Sequence, residues 1–150
     1  MNHYAIKRAK ENGLKAKLID NNFYKKYNEY FDAVLLSHVL EHVDIPEKLI
    51  KDIHSLIKPG GHFILAVPQE RIRGDTSIAS SFYFLLNLRF ELPHKHRFSK
   101  KQIFQMLKKS GLKPTKSKFV NMVPDYVSEK RDLWKVNSLI VKSKKINVDS

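Results

Sequence analysis

The chain has 150 residues, a formal net charge of +13, 42% hydrophobic and 11% aromatic residues, and no cysteine. That length supports one ordinary domain with a core and excludes two of normal size, and the composition is that of a folding sequence. The lack of cysteine excludes disulfides and thiolate ligands. With no signal-peptide pattern and no membrane-length apolar run, a cytoplasmic location is the default expectation.

In chain order, Asn2 to Asn12 predicts a helix, with Ala5, Ile6 and Ala9 on one face and Gly13 as its stop. Leu14 to Ile19 alternates as a strand does, and Asp20-Asn21-Asn22 supplies a polar turn. Phe31 to Leu36 is an apolar run broken only by Asp32, the pattern of a parallel strand covered on both faces. Asp44 is the expected cap of a helix that Pro46 opens and that carries Leu49, Ile50, Ile53, Leu56 and Ile57 as its apolar stripe. Pro59-Gly60-Gly61 is its expected stop, and His62 to Val67 is a second buried strand closed by Pro68.

Two apolar strands joined by a helix make a right-handed βαβ unit, so the fold class is α/β. In open sheets of this kind ligands sit at the carboxyl ends of the strands, where Asp20, Ser37 to His42 and Pro68-Gln69-Glu70 all fall.

Arg71 to Leu92 holds an apolar cluster from Phe82 to Phe90 that suits a helix across this rim or plain core packing. Ser99 can cap a helix running to Ser110, which Gly111 ends. Lys116 to Val123 and Trp134 to Lys142 predict two closing strands, joined by a loop, "PDYVSEKRD". Residues 1–144 are expected to form one partial domain and 145–150 a frayed tail.

From Arg89 to Lys118 there are ten Lys or Arg against one acid, Glu91. Such a stretch can attract phosphate, nucleic acid or an acidic partner, and a solvated lysine-rich surface has the same composition.

The segments "YFDAVLLSHVLEHV", "LIKDIHSLIKPGGHFILAVP" and "HRFSKKQIFQMLKKSGL", in this order, resemble the class I S-adenosylmethionine-dependent methyltransferases of small-molecule and lipid type. The resemblance implies an incomplete Rossmann-like methyltransferase sheet, with parallel strands followed by a C-terminal antiparallel pair. It implies S-adenosylmethionine as cofactor, Asp20 and Asn21 toward its adenine, and Ser37 and His38 beside its methionine part. His42 then takes the proton of a small-molecule acceptor, and Pro68, His94 and His96 line the acceptor side.

The family's glycine-rich loop and the acid ending its second strand have no counterpart here. The five glycines are Gly13, Gly60, Gly61, Gly74 and Gly111, none in a G-x-G-x-x-G setting. The resemblance therefore implies a fragment without the family's first two strands, which a second chain or a second copy would complete. The alternative expectation is a non-catalytic remnant or binding module that uses the basic stretch for an acidic partner or RNA.

His38, Glu41 and His42 also have the H-x-x-E-H spacing of certain zinc hydrolases. Pro46 follows too closely to leave a helix that presents both histidines to one ion. Some methyltransferases hold a divalent ion with a Glu/His cluster at this place, but His38 stands where they carry an acid. No metal is expected.

Overall fold

The computed structural model describes residues 3–20, 22–69, 94–122, 125–130 and 138–146. Helix α1 (His3–Glu11) ends as expected at Gly13, whose φ of +76° suits a residue without Cβ. The Gly13 N–H donates to Lys10 O at 2.9 Å and the Leu14 N–H to Ala9 O at 3.0 Å, which together close the last turn. No residue of α1 is buried.

The expected strand Leu14 to Ile19 does not form, and Leu14 to Asp20 carries no regular structure. A strand needs a neighbour to take its N–H and C=O groups, and none lies alongside among the described residues. Leu14 and Ile19 remain exposed despite their apolar side chains. The turn after them is real: Asp20 Oδ1 accepts from the Asn22 N–H at 3.0 Å, and Asp20 O from the Phe23 N–H at 3.1 Å. A short helix, α2 (Phe23–Lys26), follows.

The βαβ unit is β1 (Phe31–Ser37), α3 (Pro46–Leu56) and β2 (Ile57–Pro68). The two strands are parallel and adjacent, with Val34 opposite Phe63 and Leu36 opposite Leu65. The stripe of α3 buries Ile50, Ile53 and Leu56. Three local expectations need correction. Asp44 does not cap α3, whose N-cap is Ile45 without a side-chain bond; the Asp44 carboxylate instead accepts from Lys95 Nζ at 2.6 Å. Pro59-Gly60-Gly61 lies inside β2 at a register shift, because α3 has already ended at Leu56. A Cβ on Gly61 would lie 2.7 Å from Ile57 Cγ2 and 2.9 Å from Asp32 O, so the close approach of β1 requires glycine. Finally, β1 is not covered on both faces, since Ala33 and Leu35 are exposed.

Helix α4 (Lys100–Lys109) begins with a capping box, in which Ser99 Oγ accepts from the Gln102 N–H and the Gln102 side chain accepts from the Ser99 N–H. Gly111, with φ of +77°, ends it. Strands β3 (Leu112–Met122), β4 (Asp125–Ser128) and β5 (Ser138–Lys145) complete a five-stranded sheet of order β1-β2-β5-β3-β4. Among the described strands, only the β1–β2 pair is parallel. Part of "PDYVSEKRD", read as loop, is β4 and pairs with the end of β3. Lys145, expected to open the frayed tail, is the last residue of β5 and is buried. The Arg71 to Leu92 cluster, Val123, residues 134–137 and residues 147–150 lie outside the described residues.

The core joins Phe63, Leu65 and Val67 of β2 with Leu139 and Val141 of β5 under α3 and α4. No described helix is long and apolar enough to cross a membrane.

Candidate functional site

Ser37 is the last residue of β1 and lies opposite Ala66, near the end of β2. The chain then turns at His38, whose φ of +51° is a left-handed conformation costing a non-glycine residue about 1–2 kcal/mol. The turn is held by the His38 N–H donating to Ala66 O at 3.0 Å. A single 3-10 turn, Leu40–His42, follows and sorts the motif by burial. Leu40 and Glu41 point inward, with Glu41 only 1% exposed, while the side chains of His38 and His42 stay half exposed.

The Glu41 backbone oxygen accepts two N–H groups, from Lys95 at 2.8 Å and His96 at 3.1 Å. Those two bonds staple residues 94–98 over the end of β1. The Lys95–Asp44 ion pair repeats the connection at the surface and lowers the pKa of Asp44, first through its hydrogen bond and then through its charge. Two of the expected acceptor-side histidines, His94 and His96, are thereby brought to the turn that carries His42. His42 and His94 meet ring edge to ring face with centroids 4.7 Å apart. His96 stacks on Phe98.

The Glu41 carboxylate is the anomaly of the site. Its Oε1 lies 3.6 Å from His38 Nδ1 and 3.9 Å from His42 Nε2, too far for hydrogen bonds. Neither carboxylate oxygen has a hydrogen-bond donor among the described residues. Leaving a buried polar group unsatisfied costs about 1–3 kcal/mol, and more when it is charged.

His38 Nε2, on the other side of its ring, lies 3.2 Å from Ser138 Oγ at the start of β5. Ser138 pairs with Pro68, and the buried Gln69 donates to Pro68 O and Phe98 O, which closes the rim between β2 and the 94–98 loop. Sequence reasoning missed Ser138. No local signal marks it, because the strand that brings it to His38 is distant in the chain. Beside the rim is a cavity of about 430 Å³ lined by Asp44, Pro46, His96, Phe98, Gln102 and Met106 among others.

Of the residues expected to bind a ligand, Ser37, His38, His42, Pro68, His94 and His96 thus converge on the carboxyl ends of β1 and β2. Asp20 stands in its own turn, where its carboxylate is engaged by Asn22. The neighbouring Ile19 borders a second cavity, of about 360 Å³, that runs along β1 and is lined by Phe23, Val34, Leu36, Leu49 and Ile53 among others. Asn21 lies outside the described residues.

This architecture recurs among solved structures, three of which illustrate it. A SAM-dependent methyltransferase from Archaeoglobus fulgidus superposes with a TM-score of 0.65 at 18% identity, over 96% of this chain and 73% of that one. A SAM-dependent methyltransferase of Thermotoga maritima, described as a possible histamine N-methyltransferase, gives 0.64 at 18% identity over 95% and 70%. The 1,6-didemethyltoxoflavin-N1-methyltransferase of Burkholderia thailandensis, holding 1,6-didemethyltoxoflavin and S-adenosylhomocysteine, gives 0.53 at 17% identity over 80% and 46%. No curated protein matches the chain in sequence. Residues 2–117, more than half of the sequence, match the methyltransferase domain family. The chain belongs to that family, and the cofactor of its methyl transfer is S-adenosylmethionine.

Proposed function

We propose that the chain carries the acceptor side of a methyltransferase for a small-molecule or lipid-like acceptor, and that a further polypeptide supplies the cofactor cradle. The observation that carries this reading is the outer edge of β1. Among the described strands it pairs with β2 alone and has an apolar cavity beside it, yet its carboxyl end holds the cluster of Ser37, His38, His42 and His94. The described residues do not fit the whole cofactor. Gly13 closes α1, Gly60 and Gly61 sit in the bulge of β2, and Gly111 closes α4, so none lies in a strand-to-helix turn where backbone could approach a nucleoside.

The reading gives this chain's residues the acceptor's half of the work. Ser37 and His38 serve the methionine part, Asp20 the adenine, and Pro68, His94 and His96 the acceptor. His42, half exposed beside them, takes the acceptor proton, and the remaining catalytic power is positioning. The bound 1,6-didemethyltoxoflavin of the Burkholderia relative supports a small-molecule acceptor.

Calorimetric titration with S-adenosylmethionine tests the reading. Binding by the chain alone should be weak, and adding the N-terminal strand-and-glycine-loop half of a structural relative should bring it into the micromolar range. No cofactor binding in either mixture, together with RNA affinity that falls steeply with salt, would favour a binding module instead.

A further inference from the structure

We propose that the face of the sheet turned away from the core is a docking surface for an anionic lipid bilayer. The core takes one set of alternate residues, among them Leu65 of β2 and Val141 of β5, so their neighbours along each strand face the other way. On β3 and β5 those neighbours are Lys113, Lys116, Lys118, Lys142 and Lys144, all exposed. The register sets Lys113 directly opposite Lys144, Lys116 opposite Lys142, and Lys118 opposite Ile140.

Like charges placed directly opposite one another destabilise a sheet. Among the described residues, only Lys118 of these five has a carboxylate within ion-pairing distance, Glu129 at 2.8 Å. The lysine ladder therefore costs the isolated chain stability, and a layer of negative charge laid over it offsets that cost. Around the edge of β3, Lys100 joins Lys116 and Lys118 about a hollow of about 420 Å³ that extends the basic surface.

The rest of the face decides which polyanion fits. The row that holds Lys116 and Lys142 continues through Ile64 to Leu35, which is 66% exposed. Aliphatic side chains bordered by lysines suit the boundary between lipid headgroups and acyl chains. An interface with a protein enriches arginine and aromatic residues and depletes lysine, and these rows hold neither arginine nor Phe, Tyr or Trp. Single-stranded RNA needs aromatic rings on which its bases stack, and the rows offer none.

The row of Lys118 and Ile140 ends at Ser37, on the rim of the candidate site. Docking thus brings that rim to the bilayer surface. Vesicle binding needs neither cofactor nor acceptor, so its failure and a failure of methyl transfer are separate results.

The experiment is co-sedimentation of the full chain with phosphatidylcholine vesicles, with and without about one-third phosphatidylglycerol. We expect the anionic vesicles to bind about 100-fold more tightly or better, with the difference lost as salt rises to about 0.5 M. A lysine at an anionic surface is worth about fivefold, so Lys116→Gln with Lys142→Gln should weaken binding about 25-fold. That double variant relieves a cross-strand repulsion and should melt no lower than the parent. Lys108→Gln with Lys109→Gln removes the same charge from the end of α4, on the core side of the sheet, and should change binding by less than about twofold. Equal losses in the two double variants would overturn the assigned face, and equal binding to both kinds of vesicle would overturn the proposal. Tighter binding of polyuridine or polyglutamate than of the anionic vesicles, at the same salt, would overturn the bilayer as partner.

Discussion

Strand β5 bonds to β2 on one side and β3 on the other, and its Leu139 and Val141 are fully buried. Strand β1 pairs with β2 alone among the described strands, and its Leu35 is 66% exposed although its sequence is as apolar as any in the sheet. The more apolar strand is thus the more exposed one, so the regions are set apart by their neighbours. Apolar side chains stabilise only to the extent that something removes them from water, at about 25 cal/mol per Å², and the β1 flank has little to do so. The segment before it shows the same shortage, since α1 buries no residue and Leu14 to Asp20 forms no strand.

The contrast can be broken most forcefully at β2. Phe63 is fully buried at the centre of the core, so Phe63→Ala should lower unfolding stability by about 3–5 kcal/mol. Chemical denaturation measures this. A loss below about 1 kcal/mol would show that the closed side is not the stable one.

Lys145 locks the same side. Its buried ammonium donates to Glu29 Oε1 at 2.9 Å, Ile57 O at 2.9 Å and His54 O at 3.2 Å, tying the end of β5 to the end of α3. Lys145→Ala leaves those acceptors unmet and should cost about 3 kcal/mol in the same assay.

Ser99→Ala removes the capping box of α4 and should cost about 1 kcal/mol. Leu35→Ser, on the open flank, should change stability by less than about 0.5 kcal/mol. A large loss there would mean that the exposed face of β1 is covered in solution, which would identify the flank as an interface.

A pH scan sharpens the comparison without a cavity. Burial, and next the charge of Lys145, hold the His54 pKa below its ordinary 6.5, with Glu29 opposing. The unfolded chain then binds the proton more readily than the folded one. His54 therefore contributes stability that is present above pH 6.5 and lost as pH falls toward its folded pKa. Thermal melts of His54→Gln should lack that part of the acid slope.

Much of the fold was legible because it is local. Gly13, Ser99 with Gln102, and Gly111 mark helix ends through bonds made within a few residues. The apolar runs Phe31 to Leu36 and His62 to Val67 also announced their pairing. Asp44 misled because two partners competed for it, and Lys95, distant in the chain, displaced the helix end. Gly60 and Gly61 read as a stop because glycine marks both turns and bulges, and only the approach of Asp32 O to Gly61 distinguishes them. In the candidate site, Ser37 to His42 could be read off as a strand end, while the stapling of Lys95 and His96 to Glu41 O could not.

By itself the sequence determined the α/β class, the ends of α1 and α4 and the position of the histidine-rich turn, since each depends on periodicity or capping within one segment. Tertiary structure alone decided that Leu14 to Ile19 stays unpaired, that Glu41 is buried without a donor among the described residues, and that His94 and Ser138 join the turn. Those outcomes depend on which distant groups arrive alongside, and hydrogen bonding and burial are satisfied in space rather than along the chain.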